Sequence, residues 1–517
     1  MHPMLLVDLE GTVLRPDERD LLAHPGVAGV CLFSRNLTDV EQGRELAAAL
    51  IEAAGRPLVI AIDQEGGGVV RLPQVAVPPS AMALGAADDT ILTERVAFAT
   101  ARGLRRIGVN VDFAPVADVQ SNPMNPVIGD RAFGADPHHV ARHVAAFVRG
   151  LQAGGVAATL KHFPGHGDVA VDSHLDLPRL DADEGRLTQL EWPPFEAGVA
   201  CGAAAVMSAH IAVDAIDPEL PATLSRITLE GVLRGRLGFQ GVTFSDALDM
   251  RAIAQRWDLA SAAVRAIAAG IDVPVLCNVD VRTHASVLEA LARAAADGDL
   301  DPERLAAARA RLDALLRAYP NGVVDGNPES WAEDEAYEAE AARRSITAVG
   351  TAPRLVAGDR VALFGRAEVA SGAASDTARP VAALARALDA AGLRVDWVTD
   401  PDELRAALAG ARALLVATSE RTPLGDDALA SYRGAFGQAA EAGVPALHLA
   451  LWNPAHVRVL PTPALLSYGS RPASLTALVA ALRSGAAPGH APIPLGRGEA
   501  QGEVQRASPG ASADEHT

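Results

Sequence analysis

Three stretches of the chain gather residues able to move protons, hold charge or form a covalent intermediate. The first is KHFPGHGDVAVDSH, Lys161 to His174. Pro164 and Gly165 bar a helix, so His162 and His166 are not the i, i+4 ligand pair of a zinc helix. In Asp172-Ser173-His174 the carboxylate can accept a hydrogen bond from one imidazole nitrogen, which sets the tautomer and leaves the other nitrogen to exchange a proton. That is the form of a general acid/base dyad, although a solvated loop histidine fits the same letters. The second stretch, GFQGVTFSDALDM, ends an apolar run on Asp246. A carboxylate so placed suits nucleophilic attack or stabilisation of a cationic transition state, and it equally suits capping the following helix. In the third, IDQEGGGVVRL, Asp63 precedes Gly66, Gly67 and Gly68, which let a ligand approach backbone, and Arg71, a donor that can fold back. A flexible turn is the plainer use of those glycines.

Residues of this kind need rigid elements behind them, and the first three-fifths of the chain repeats one unit: a short apolar run, a polar cluster, then a stretch of helical periodicity. The runs begin at Met4, Val27, Pro57, Val109, Ala157, Ala204, Gly241 and Ile271. About eight such strands close a (β/α)8 TIM-type barrel, whose active site lies at the carboxyl ends of the strands. Asp63, Asp118, Lys161 with His162, Ser208 with His210, Asp246 and Asn278 stand where these runs end. Val140, Val144, Phe147, Val148 and Leu151 recur at helical spacing, and the stretch from Asp39 to Gly55 ends on a glycine stop. The fold class is therefore α/β, with a barrel over residues 1–318 and a charge-rich helical linker over 319–350. A smaller open α/β sheet domain, an α/β sandwich, is expected over 351–485, from runs at Arg360, Arg394, Ala411, Val444 and Ala464. Residues 486–517, rich in Pro, Gly, Ala and Ser, are expected to form a disordered tail with little to bury.

Composition excludes several classes. Among 517 residues, Lys+Arg 45 against Asp+Glu 64 leaves a net charge of -19, which repels phosphate backbones and anionic lipid. No nucleic-acid or membrane partner is expected, and no uncharged stretch approaches the ~18 residues of a span. Cys31, Cys201 and Cys277 are too few and scattered for a disulfide framework, so they read as buried thiols in a reducing compartment. Asp8 and Glu10 interrupt the first apolar run before a signal sequence could form, and a cytoplasmic location is expected.

Taken together, D-Q-E-G-G-x-V-x-R-L from Asp63, K-H-F-P-G-H-G-D with D-S-H from Lys161, and G-F-x-G-V-x-F-S-D-x-L-x-M from Gly238 resemble glycoside hydrolase family 3. Within it the chain is similar to the β-N-acetylglucosaminidase branch that acts on peptidoglycan fragments. The likeness runs from VDLEGT near the start through the barrel, and LWNPAHVRVLP and LLSYGSRPASLTALVAAL resemble the smaller domain of two-domain members. The resemblance implies Asp246 as nucleophile of a covalent glycosyl-enzyme, His174 as acid/base and Asp172 as its orienting partner. It implies sugar contacts from Asp63, Arg71, Arg131, Lys161 and His162, with no cofactor and no metal. A histidine acid/base departs from the usual pair of carboxylates about 5–5.5 Å apart, but its ordinary pKa near 6.5 suits proton exchange at neutral pH. Gly68 stands where many relatives have arginine, and Ala247 where a second aspartate is common. Aromatic residues are only 4%, sparse for gripping a long glycan, so a short exo-acting pocket for one terminal sugar is expected. The saccharide is the only partner read from the chain. A phosphorylase passing the same intermediate to phosphate is the alternative. A barrel aldolase with Lys161 as Schiff-base nucleophile would leave the dyad and Asp246 idle, and a sugar sensor is an option chiefly for the second domain.

Overall fold

The computed structural model describes residues 2–169, 176–368 and 379–496. The eight apolar runs form eight parallel strands: β1 Leu5–Val7, β2 Val27–Leu32, β3 Val59–Ile62, β4 Val111–Asp112, β5 Ala157–Phe163, β6 Ala205–Ser208, β7 Val242–Ala247 and β8 Val273–Val275. Each pairs with its neighbours in the chain, and β8 closes the barrel on β1. Successive side chains alternate across a strand. Leu6, Ala61, Val111, Ala157 and Val275 therefore fill the barrel, whereas Leu5, Val7, Ile60, Ile62 and Leu160 face the surrounding helices. Phe113 and Phe244 meet edge to face at 5.4 Å in the interior.

Helix Pro302–Ala318 sends Ala308, Leu312 and Leu315 into the same interior cluster. Its Arg311 pairs at 2.5 Å with Asp272, just before β8, so this helix stoppers the amino-terminal end. Chemistry is left to the carboxyl end. The helices form where periodicity requires. Helix Pro137–Ala153 buries Val140, Val144, Phe147, Val148 and Leu151. Asp39 caps helix Val40–Ala54 by accepting from the Gln42 N–H, and Gly55 ends it at φ 63°.

A second sheet follows: β9 Thr347–Val349, β10 Arg360–Phe364, β11 Arg394–Val398, β12 Ala413–Thr418, β13 Ala446–Ala450 and β14 Ala464–Leu466, in the order β9-β14-β13-β12-β10-β11. All pairs are parallel except β9 with β14. Leu363, Leu415 and Leu447 pack against helices on one face, and Phe364, Leu414 and Val416 on the other.

Two expectations need correction. The sheet begins inside the segment read as linker, because β9 is only three residues long with Ala348 exposed, too short to stand out as an apolar run. Helix Pro328–Ser345, in the same segment, packs on helices Ala81–Ala87, Thr90–Arg105 and Pro472–Ser484, and Arg344 on it reaches Asp89 at 2.6 Å. Residues 486–496 are also not a loose tail. Ile493 and Leu495 are buried in one cluster with Met82 and Tyr468, and the His490 N–H donates to the Ala86 carbonyl at 2.8 Å. Residues 497–517 lie outside the described residues. Among the described residues no helix is long and apolar enough to cross a membrane.

Candidate active site

The turn after β3 carries the densest charge. Asp63, Gln64 and Glu65 leave the strand in sequence, and Gln64 folds the loop back by bonding the Leu72 carbonyl and the N–H groups of Arg71 and Leu72. Gly66, at φ 100°, has no room for a side chain: a Cβ there would lie 2.4 Å from the Pro79 carbonyl. The return brings the Arg71 guanidinium within 3.6 Å of Asp63.

Glu65 is buried and joined to Arg131 by a two-pronged contact, 2.8 Å on each oxygen, and to Lys161 at 2.5 Å. Lys161, at the end of β5, also donates to Asp63 at 2.7 Å. Burial alone would raise the Glu65 pKa, but Arg131 and Lys161 outweigh it and hold the carboxyl well below its ordinary value. Burial likewise disfavours charged Lys161, yet Asp63 and Glu65 raise its pKa. Glu65 thus stays ionised between two cations, Arg131 and Lys161, in one chain of contacts.

Beneath them Asp118 is fully buried and accepts from the His162 Nδ1–H at 2.7 Å, the His162 N–H at 3.2 Å and the His166 N–H at 2.7 Å. Arg131 stands 3.3 Å from His162 Nε2 and can only donate, so the proton of His162 sits on Nδ1 and the Nε2 lone pair faces the guanidinium. Burial and the neighbouring His162 push His166 down to about 4, which leaves it neutral at pH 7.

Asp246 occupies the end of β7, its Oδ1 accepting the Ala247 N–H at 2.8 Å. The Ala247 carbonyl is fixed in turn by His210 Nε2 at 2.9 Å. Asp246 opens onto a cavity of about 300 Å³ that it shares with Asp63, Arg71, Arg131, Lys161 and His162, with Phe33, Met207 and Met250 supplying apolar wall. That volume is at the low end for ligand sites, about 300–1,000 Å³, and fits one sugar ring rather than several.

The second domain reaches this rim. Arg421, in the loop after β12, bonds Asp130 at 3.0 and 2.7 Å, next to Arg131. Its guanidinium lies over Gly68, where a Cβ would come within 2.5 Å of Nη1. The missing side chain at position 68 therefore makes room for an arginine from the other domain. Arg471 adds a 2.7 Å bond to the Gly67 carbonyl.

Asp63, Arg71, Arg131, Lys161, His162 and Asp246, far apart in sequence, come together in this cavity. Asp172 and His174 lie outside the described residues. Ser208 and His210 instead both bond Thr223 Oγ1, each at 2.8 Å, and brace the wall. Sequence reasoning omitted Glu65 from the site and placed Asp118 at a strand end without giving it a role. Glu65 carried a signal, since residues two apart in an extended segment share a face with Asp63. The strand-end position of Asp118 was legible, but its role as buried acceptor was not, because its three N–H partners reach it only after β4 and β5 pair.

Residues 4–315 match the family model described as the glycosyl hydrolase family 3 N-terminal domain. The beta-hexosaminidase of Stenotrophomonas maltophilia (strain K279a) is 44% identical over 295 residues, covering 54% of this chain and 86% of that one. A solved glycoside hydrolase family 3 β-N-acetylglucosaminidase from Paenibacillus sp. str. FPU-7 superposes with a TM-score of 0.88 at 33% identity, covering 95% of this chain and 98% of that chain. NagZ from Neisseria gonorrhoeae, 30% identical with a TM-score of 0.55, covers 66% of this chain and 98% of its own.

Proposed function

This chain belongs to glycoside hydrolase family 3, and from that premise we propose that it is a retaining exo-β-N-acetylglucosaminidase. One observation carries the reading most: a carboxylate at a barrel strand end, Asp246, facing a one-sugar cavity lined by Arg71, Arg131, Lys161 and His162. The named relatives, a hexosaminidase and a β-N-acetylglucosaminidase, support the sugar and the choice of water over phosphate as acceptor.

In the first step an Asp246 oxygen attacks the anomeric carbon, and the glycosidic oxygen leaves with a proton from the His174 imidazolium. In the second, neutral His174 takes a proton from water as that water displaces Asp246, so the β configuration is restored. Asp172 orients the ring through both steps and fixes the tautomer of the neutral form. Asp63 and Lys161, already paired, present an acceptor and a donor to sugar hydroxyls, while Arg71 and Arg131 offer fixed forks for hydroxyl or acetamido oxygens. Peptidoglycan fragments as the source of the sugar rest on the family resemblance of the three motifs. We place the activity in the cytoplasm, a setting that suits three free cysteines, of which Cys31 and Cys277 are buried and Cys201 is half-buried.

The test is product analysis on a chromogenic terminal β-N-acetylglucosaminide, with and without phosphate. Free β-N-acetylglucosamine should form first in both arms, Asp246→Ala should abolish cleavage, and truncating His174 should slow it by roughly 10²–10⁴. Undiminished activity in Asp246→Ala would end the nucleophile assignment, and sugar 1-phosphate as the product would replace hydrolysis by phosphorolysis.

A further inference from the structure

On the outer side of the barrel, away from the cavity, Asp88, His139 and His143 each present a ligand atom within 4.8 Å of the other two. His139 and His143 stand four apart on helix Pro137–Ala153 and so share one face, while Asp88 ends helix Ala81–Ala87 in the left-handed conformation at φ 45°. Asp88 Oδ1 lies 3.4 Å from His139 Nδ1 and 3.8 Å from His143 Nε2. A tetrahedral ion bound at about 2.0–2.1 Å sets its ligands about 3.3–3.4 Å apart, which is close to this spacing.

The hydrogen bonds around His143 aim its free lone pair at the same point. The Thr93 hydroxyl bridges the Asp89 carbonyl at 3.1 Å and His143 Nδ1 at 2.9 Å, and with its proton on the carbonyl Thr93 Oγ1 accepts from His143 Nδ1. In that arrangement the His143 proton is on Nδ1, and Nε2 carries the lone pair that a metal ion takes. That Nε2 is buried, makes no hydrogen bond among the described residues, and faces the carboxylate, another acceptor. The buried His143 Nε2 and the exposed Asp88 carboxylate are two acceptors facing each other at the surface, an arrangement that a cation between them stabilises. Phe133 stacks on the His143 ring at 5.4 Å and 18°, which holds the ring plane. Arg142, more than half exposed, reaches Asp88 Oδ1 and His139 Nδ1 at 3.5 and 3.3 Å from the solvent side. It is the group an arriving ion would displace.

We propose that Asp88, His139 and His143 form a binding site for a divalent transition-metal ion of the zinc class, with water as fourth ligand. Two imidazoles and one carboxylate suit zinc and its neighbours, whereas calcium and magnesium require mostly oxygen donors. The role is structural. The ion would staple helix Ala81–Ala87 to helix Pro137–Ala153, and both contact the second domain: Ser80, capping the first, donates to the Tyr468 carbonyl at 2.6 Å, and Ala135, before the second, donates to the Pro492 carbonyl at 3.0 Å.

The experiment uses the full, tag-free chain stripped with chelator, and adds Zn²⁺ against a competing chromophoric chelator while Tm is followed. Wild type should take up one equivalent and gain a few degrees in Tm. Asp88→Asn and His139→Gln, changes near the surface that spare buried His143, should bind at least about tenfold more weakly and lose the gain. Co²⁺ in wild type should give the intense visible absorption of a tetrahedral site. No binding at about 10 μM free Zn²⁺, or an equal Tm gain in both variants, would overturn the site.

Discussion

Replacing Glu65 by Gln keeps the shape of the side chain and removes its charge from between Arg131 and Lys161. At 2.8 Å and an effective dielectric of ~20, an ion contact of this kind carries about 6 kcal/mol of Coulomb attraction, which offsets the cost of burying the guanidinium. Lys161 keeps Asp63 as a partner at 2.7 Å, so Arg131 bears most of the loss. Removing one partner of a buried pair costs about 3–5 kcal/mol, a large part of the 5–15 kcal/mol that holds a typical domain together. Glu65→Gln should therefore lower the urea midpoint strongly and raise KM, because Arg131 no longer has a fixed direction in the cavity. The pH dependence gives a second check. The folded pKa of Glu65 lies below its unfolded value, so its contribution is full above roughly pH 4.3 and is lost as acid approaches the folded value. The gap between wild type and variant should be constant from pH 6 to 8 and close only in acid. A variant within about 1 kcal/mol of wild type with unchanged KM would refute the view that this pair orients the cavity.

Glu191 is buried beside Gly165, and burial, with the Asp118 charge, pushes it up to about 8 against the pull of Arg186. Because the folded value is the higher one, its contribution is full below about pH 4.3 and fades as pH rises to about 8. Glu191→Gln should gain Tm over wild type across that window and hold the gain above it, and parallel Tm curves would contradict the assignment. Arg421→Ala strips Asp130 of its partner across the domain boundary and should raise KM about tenfold with little change in kcat, with Arg421→Lys recovering part of the loss. Equal KM in both variants would remove the second domain from the site. A chain ending at residue 318 exposes Met82 and Ala83, which are packed with Tyr468, Ile493 and Leu495, and should associate on size-exclusion chromatography with reduced kcat/KM. A monomer with full activity would show that the barrel needs no cover.

The sequence by itself determined the barrel and most of the cavity. Eight apolar runs of the right length had to pair, their side chains had to alternate, and each run ended in a polar group that the closed sheet then turned to one mouth. Asp63, Arg71, Arg131, Lys161, His162 and Asp246 were legible because motif and strand end coincide at or near them. What lay between elements was not. Whether Asp118 is a solvated loop aspartate or the buried acceptor of three N–H groups depends on the pairing of β4 with β5, which sequence letters do not encode. The space that Gly68 leaves is filled by Arg421 from more than 350 residues away. Residues 486–496 read as rich in Pro, Gly and Ala with little to bury, yet Ile493 and Leu495 find a groove built by both domains. The spacing of His139 and His143 is present in the sequence, but only packing brings Asp88 to it. Local periodicity is a property of neighbours along the chain. Which charges meet, and which apolar edges are covered, is decided by chain segments far apart, and only the folded molecule brings those together.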